Sequence, residues 1–278
     1  MITKSWLPNR GFAQLITTAD DGAVSEGLDI GLAELAKQGI LSRISAFANY
    51  GLLEKFAQTI PSETSIGLHI NLSSGAPVLP NSQVASLVDS QGRFWRPSLR
   101  DDGNIPLALS EFYNSVLPRY DPEEIILEVN AQVEVFRRAT HRLPDFVNYH
   151  HDLDKHPKIA SALTLIEGSP LGRQRLLAAG KLSAVKSVFL SSDDSFASGL
   201  AKVLHMIDSA ITASVRADGV PAEIVVHPGK VNDGLSSFTI YTMQRQLELG
   251  IWMSSEVKQV FGQATRDGEY WRFGSESQ

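Results

Sequence analysis

The stretch Gln14-Leu15-Ile16-Thr17-Thr18-Ala19-Asp20-Asp21-Gly22 is a short β-rich run that ends in two acids and a turn residue. Ser25 follows as a helix N-cap, and Leu28, Leu32, Leu35 and Ala36 lead at mixed helical spacing to Gly39, a C-terminal stop. The same order of apolar run, polar turn and helix recurs downstream. Ile40–Phe47 and Ser65–Asn71 read as further strands, Pro144–Tyr149 leads to His150, and Ala222–Val226 leads to His227. Strands alternating with helices predict an α/β fold with a largely parallel sheet, open or closed.

Between these units, Asp121-Pro122-Glu123-Glu124 is a strong helix start, with Asp at the N-cap, Pro at the first helical position and acids in the first turn. That helix runs to about Arg138. Pro157 opens another, to about Leu165, and Thr239–Leu249 a third that carries Arg245. Ser183–Leu190 fits strand or helix, and Ser195–Leu204 reads as helical. Residues 72–117 change character, with loop-like Ser73–Pro77 and Arg100–Pro106 and a small hairpin or turn at Val88–Trp95. A stretch well beyond the ~12–15 residues of an ordinary loop is read as a functional insertion over the strand ends. The whole chain, 1–278, is expected to form one domain around it.

Composition narrows the function. The 278 residues are 43% hydrophobic and 20% charged, with a formal net charge of −6. With no cysteine, disulfides, thiolate ligands and a Cys nucleophile are excluded. Basic residues are scattered, Arg137-Arg138 and Arg173/Arg175 being the densest spots, so no nucleic-acid footprint is expected. The N-terminal residues lack the apolar core of a signal peptide, and no apolar run approaches ~20 residues. A soluble, cytoplasmic protein without a membrane partner is the expectation.

Chemistry in α/β folds gathers at the carboxyl ends of strands. Four segments bring metal-ligating residue types there: Thr18–Asp21, Gly67–Asn71, Asn148–Asp152 and Glu223–Gly229. Singly each has an ordinary explanation: Asp-Asp-Gly is turn chemistry, a strand His is a structural hydrogen-bonding residue, and His-Pro-Gly is a turn. Together they predict a mononuclear hydrolytic metal site, which needs three protein ligands and an open position. Asp21, His69 and His150 are placed to be ligands. Asp20 is placed to be the base, provided the turn brings two consecutive carboxylates to one side, and His227 is the candidate acid. Glu223 and Arg245 are expected to hold His227, with Arg245 either on a helix surface or pairing inward with Glu223. Asn71, His151 and Asp152 lie in the same segments as supporting or substrate-facing groups. Trp95 either lines a sugar site or pins the insertion.

At these residues the chain resembles the YdjC-like carbohydrate deacetylases, also called the chitooligosaccharide deacetylase family. Ala19-Asp20-Asp21 fits its first motif. Gly67-Leu68-His69-Ile70-Asn71-Leu72-Ser73-Ser74-Gly75-Ala76-Pro77 fits the second in full and is the most specific match, and Glu223 through Gly229 fits the last. The order holds from residue 15 to about 250. The resemblance implies a (β/α)-barrel-like fold, distorted or incomplete, and a divalent metal, Mg²⁺ or Zn²⁺. It also implies hydrolysis of an N-acetyl group from a sugar or oligosaccharide, and a homodimer. By motif position it makes Asp21, His69 and His150 ligands, Asp20 the base and His227 the acid. Gly22-Ala23 stands where the family has Phe-Gly, Asn148 where it has Asp, and Asp152 and Asp154 where it has His. Acids there are expected to orient a ligating His or to favour a harder ion. A non-catalytic sugar-binding protein on this scaffold and a different metal hydrolase are the rival readings.

Overall fold

The computed structural model describes residues 11–97, 105–163, 172–232, 235–239 and 241–274. Its axis is β1 (Ala13–Gly22), buried along almost its whole length. β2 (Arg43–Ala46), β3 (Ser65–Ile70), β4 (Val147–Tyr149), β5 (Ala184–Ser187) and β6 (Ala222–Val226) complete a parallel set in the order β4-β3-β2-β1-β6-β5. Read as a ring, this is chain order opened between β4 and β5, an incomplete (β/α) barrel. Strands covered on both faces must be apolar or small at most positions, and Leu15, Ile16, Ile44, Leu68, Ile224 and Val226 are all buried. β7 (Thr265–Asp267) pairs with β8 (Tyr270–Phe273), and β8 runs antiparallel to the first residues of β1, from Ala13 opposite Phe273 to Leu15 opposite Trp271.

Helices form where the capping chemistry places them. Ser25 accepts from the Leu28 N–H at the start of α1 (Glu26–Lys37), and Gly39 follows in the left-handed region. α2 (Leu53–Thr59) precedes β3, and α3 (Ile105–Ser115) is a helix inside the stretch expected to be loop. Asp121 caps α4 (Pro122–Thr140), which ends on a left-handed His141. α5 spans Pro157–Leu163 and α6 Arg173–Ala178; the expected end of α5 at Leu165 lies outside the described residues, as does most of Arg100–Pro106. Ser183–Leu190 resolves as β5, and the expected Ser195–Leu204 helix is the start of a longer α7 (Phe196–Arg216), closed by a Ser195–Ser198 capping box. The helix expected from Phe238-Thr239 through Leu249 begins later, as α9 (Met243–Trp252), with a separate short α8 (Leu235–Phe238) before it and α10 (Ser255–Phe261) after it. No helix among the described residues is long and apolar enough to cross a membrane.

Two fully buried polar residues on α4 anchor the chain leaving β3. Gln132 donates to the Asn71 carbonyl and accepts from the Asn71 N–H, while Glu128 accepts from the Val78 and Leu79 N–H groups. Loop backbone cannot be buried without such partners, and these place residues 71–79 at the carboxyl end of the sheet. The expected hairpin survives as a single antiparallel bridge, Val88 to Phe94.

Gly67 sits in the middle of β3 because the Phe146 ring lies against it: a Cβ there would stand 2.6–2.7 Å from three ring atoms. Overpacking of this kind costs about 1–3 kcal/mol. Gly67→Ala is therefore expected to melt several degrees lower than the wild type in a calorimetric scan. An unchanged melting temperature would show that the Phe146 ring is not fixed in place.

Candidate active site

A regular strand turns successive side chains to opposite faces, so Asp20 and Asp21 cannot both face inward on an unbroken β1. The register shows how they do. Ala19 pairs with Ile44 but Gly22 pairs with Ala46, so β1 holds one extra residue there. This is a β-bulge; within it Asp21 has φ 69°, and just past the strand Ala23 has φ 62°. A left-handed backbone is unfavourable for a non-glycine residue, least so for Asp and Asn. The Ala23 N–H is held by Asp29 Oδ1 at 2.8 Å, which helps to secure the bent segment.

Asp20 faces an arginine from the segment of chain that joins β4 to β5. Arg173, at the start of α6, donates from Nη1 to Asp20 Oδ2 and from Nη2 to Oδ1, both at 2.9 Å. Its Nε donates to Glu223 Oε2 at 3.1 Å, and Thr18 Oγ1 donates to the other Glu223 oxygen. Burial pushes the Asp20 carboxyl up, but Arg173 and the nearby imidazoles outweigh it and hold the group well below the usual carboxylate range.

An ionised Asp20 fixes its neighbours in turn. Its Oδ1 only accepts, so the amide of Asn148 must present Nδ2 to it, at 2.7 Å. Asn148 Oδ1 then accepts from His69 Nδ1 at 2.5 Å. That places a His69 proton on Nδ1, so the neutral ring carries its lone pair on Nε2, which faces Asp21 Oδ1, 3.2 Å away. His150 Nδ1 approaches the same oxygen at 3.4 Å. Asp21 Oδ1 is buried without a hydrogen-bond partner, although its other oxygen accepts from Arg245 Nη2 at 2.6 Å. Ligand atoms of Asp21, His69 and His150 lie within 4.8 Å of one another. Three converging ligand atoms, one of them an orphaned carboxylate oxygen, fit a divalent cation.

His227 closes the other side. Both of its peptide groups are held by α9: Glu248 Oε1 accepts from the His227 N–H at 3.0 Å, and Arg245 Nη1 donates to the His227 carbonyl at 3.3 Å. Burial depresses the imidazole to about 4, with Asp21 opposing and Arg245 adding to the effect, so the ring is neutral at neutral pH. Phe189 stacks on it at 4.8 Å between centroids. A cleft of about 690 Å³ opens above Asp20, His69, His150 and His227, with α3 and the end of β5 on its walls.

The other expected residues fall as follows. His151 lines the cleft but its Nδ1 is engaged with Ser73 Oγ. Asp152 lines it too and pairs with Lys155. Asn71 is committed to its own loop, donating to Ser74 O and accepting from the Ser73 N–H. Trp95 is half-buried against the hydrophobic core and is not among the cleft residues, which fits the pinning alternative. Three expectations are corrected. Glu223 holds Arg173, not His227, and Arg245 pairs with Asp21, not Glu223. Asp152 and Asp154 do not orient a ligating His: the first faces Lys155 and the second accepts from the Gln174 N–H.

The whole arrangement can be compared with known proteins. The model of the family described as YdjC-like protein matches residues 14–263. The chain belongs to the YdjC-like family. Its relatives in this family include carbohydrate deacetylases of Thermoanaerobacter pseudethanolicus, 24% identical with 88% of this chain and 92% of the relative covered, and of Brevibacillus brevis, 27% identical with 88% and 93% covered. Among solved structures, an Enterococcus faecalis protein named for cellobiose-phosphate cleavage superposes with a TM-score of 0.65 at 22% identity, covering 89% of this chain and 93% of that one. That likeness concerns the fold.

Sequence reading of this YdjC-like chain missed Arg173, Tyr241, Glu248 and Phe189 as parts of the site, and placed Asn148 only as a departure from the family motif. Glu248 had a signal: it lies three residues after Arg245 on α9 and so shares its face. Arg173 had none, because its role arises only where the folded chain brings it to Asp20 on β1 and Glu223 on β6.

Glu248 is fully buried, and burial, opposed by the His227 N–H and Arg245, raises its carboxyl to about 7 from an ordinary 4.5. Between those values the folded chain keeps a proton that the unfolded chain loses, so this group's contribution to stability falls as pH rises from 4.5 to about 7. The size is roughly 3 kcal/mol across that window. Glu248→Gln is expected to remove this part of the slope in denaturant melts taken from pH 4.5 to 8. An identical slope in wild type and variant would place the titration elsewhere.

Proposed function

We propose that this chain is a metal-dependent hydrolase that removes the acetyl group from an N-acetylated sugar or oligosaccharide. The observation that carries this reading is the convergence of Asp21, His69 and His150 on one buried point, with an ionised Asp20 beside it and His227 on the same cleft. The family and the names of its curated relatives support the substrate class.

Asp21 Oδ1, His69 Nε2 and His150 Nδ1 would hold the ion. Bound there, a divalent cation supplies Lewis acidity to the acetamide carbonyl and to the attacking water. With two imidazoles in three ligands, and with Asp152 and Asp154 turned elsewhere, the donor set favours Zn²⁺ over the all-oxygen preference of Mg²⁺.

Asp20 Oδ1 already accepts from Ser45, Asn148 and Arg173, whereas among the described residues Oδ2 accepts only from Arg173. The water proton therefore goes to Oδ2. The water oxygen bonds to the carbonyl carbon, the C–N bond breaks, and acetate and a free amine leave. His227, neutral at rest, takes up a proton from solvent in the cleft as negative charge builds beside it and delivers that proton to the departing nitrogen, while Asp20 returns the water proton to solvent as acetate leaves. Arg173 keeps Asp20 oriented, and Glu248 and Arg245 keep His227 facing it.

The test uses metal-stripped protein reloaded with Zn²⁺, Mg²⁺, Mn²⁺ or Co²⁺ and assayed for acetate release from N-acetylglucosamine oligomers. Asp20→Asn is expected to lower turnover by about 10²–10⁴-fold, the usual weight of a general base, with metal content retained. His69→Ala is expected to lose the metal. Full activity in Asp20→Asn would sink the proposed base, and absence of metal binding by the wild type would sink the reading as a whole.

A further inference from the structure

Phe189 is half exposed, with 52% of its surface open to solvent. Scattered exposed apolar residues are ordinary, but this one lines the cleft rather than the outer surface. It follows β5 by two residues, and its neighbours on either side, Val188 and Leu190, pack into the core. The Phe189 ring turns out into the cleft, whose wall Leu190 also joins with its buried side chain. One side of that ring lies against the His227 imidazole, 4.8 Å away and tilted by 28°, and Tyr241 meets it edge-on at 5.6 Å.

The ring is not loosely placed. The Leu190 N–H donates to the Tyr241 hydroxyl at 2.9 Å, that hydroxyl donates to Glu248 Oε2 at 3.2 Å, and Glu248 Oε1 accepts from the His227 N–H. One buried chain of hydrogen bonds thus links the backbone next to Phe189 to the backbone of His227. Neither Tyr241 nor Glu248 lines the cleft. Their arrangement keeps an aromatic face in fixed register with the candidate acid.

We propose that Phe189 is a binding platform for the apolar C–H face of an uncharged pyranose ring, held in register with His227 by Tyr241 and Glu248. The inference deepens the deacetylase reading, since it names the class of ligand taken by the same cleft. Aromatic faces bind apolar surfaces with defined geometry, and a pyranose offers such a surface edged by hydroxyls. Ser110, Asn114, Ser187 and Ser191 on the cleft walls supply polar partners for those hydroxyls. The charge of the cleft selects against an anionic ligand. Its Arg and Lys residues are Arg173, paired with Asp20 and Glu223, and Lys155, paired with Asp152. Among the described lining residues no arginine or lysine is left over for a phosphate.

The experiment is calorimetric titration of the full chain with N,N′-diacetylchitobiose and with its 6-phosphate. Phe189→Ala is expected to weaken binding of the neutral sugar about tenfold, equal to about 1.4 kcal/mol. Phe189→Trp, which keeps an aromatic face, is expected to bind within about twofold of the wild type. Circular dichroism melts show whether each variant is folded. Unchanged affinity in Phe189→Ala, no measurable binding of the neutral sugar by the wild type, or tighter binding of the phosphorylated sugar would each overturn the proposal. Binding is read without turnover, so a wild type that holds the sugar on Phe189 but releases no acetate refutes the hydrolase and leaves the platform standing.

Discussion

The left-handed backbone at Asp21 is the constraint on which the site depends. Without the extra residue in β1, one of the two consecutive carboxylates would face a helix layer and the other the cleft. With it, Asp20 turns to Arg173 and Asp21 turns to the two imidazoles. The residues that secure the bend come from the first two βα units. Gly22 admits Phe56, whose ring would stand 2.8 Å from a Cβ there, and Asp29 holds the Ala23 N–H. A strained conformation persists where its surroundings over-determine it, and here strand pairing, a helix side chain and an arginine act on four consecutive residues.

Burying so many charges is not a route to stability. Buried ion pairs often do no better than apolar groups of the same size. Their effect here is on orientation and protonation. Asp20, fixed as an acceptor, dictates the amide of Asn148, which dictates the tautomer of His69, which leaves a lone pair aimed at Asp21. The formal charges of Asp20, Asp21 and Glu223 against Arg173 and Arg245 leave one negative charge in this network, three minus two. That surplus sits where Asp21 Oδ1 lacks a partner. Glu248 is kept protonated to about pH 7, so it adds little to the surplus below that pH.

Strand ends and ligand types were legible because they depend on local pattern. An apolar run that stops at a polar residue marks a strand end, and the parallel sheet then brings Asp21, His69 and His150 together without further information. The bulge was legible only as a requirement, since nothing in Asp-Asp-Gly distinguishes it from a turn. The partners of the buried charges were not legible. Arg173 stood out only as one of two closely spaced arginines, and Glu223 was assigned to the nearest functional residue in sequence, His227, when its partner lies 50 residues away. Asp152 and Asp154 misled for a related reason. Asp152 stands beside a left-handed His151 and is left-handed itself, and the chain there bends the acids away from the imidazoles. The helix in the insertion was hidden by its Gly-Asn and Pro surroundings, which read as turn chemistry.

The gap between β4 and β5 has a consequence for how the molecule is assembled. Asp20 and Arg173 are 153 residues apart, and His227 and Arg245 come later still. Contacts that distant carry a large loop-closure cost and form slowly. During synthesis the acids of β1 emerge long before the arginines that neutralise them, and an unpaired carboxylate resists leaving water. The acids of β1 therefore gain their guanidinium partners only when the second half of the chain packs against the first, and the dry centre of the site is a product of the complete fold, not of its first strands.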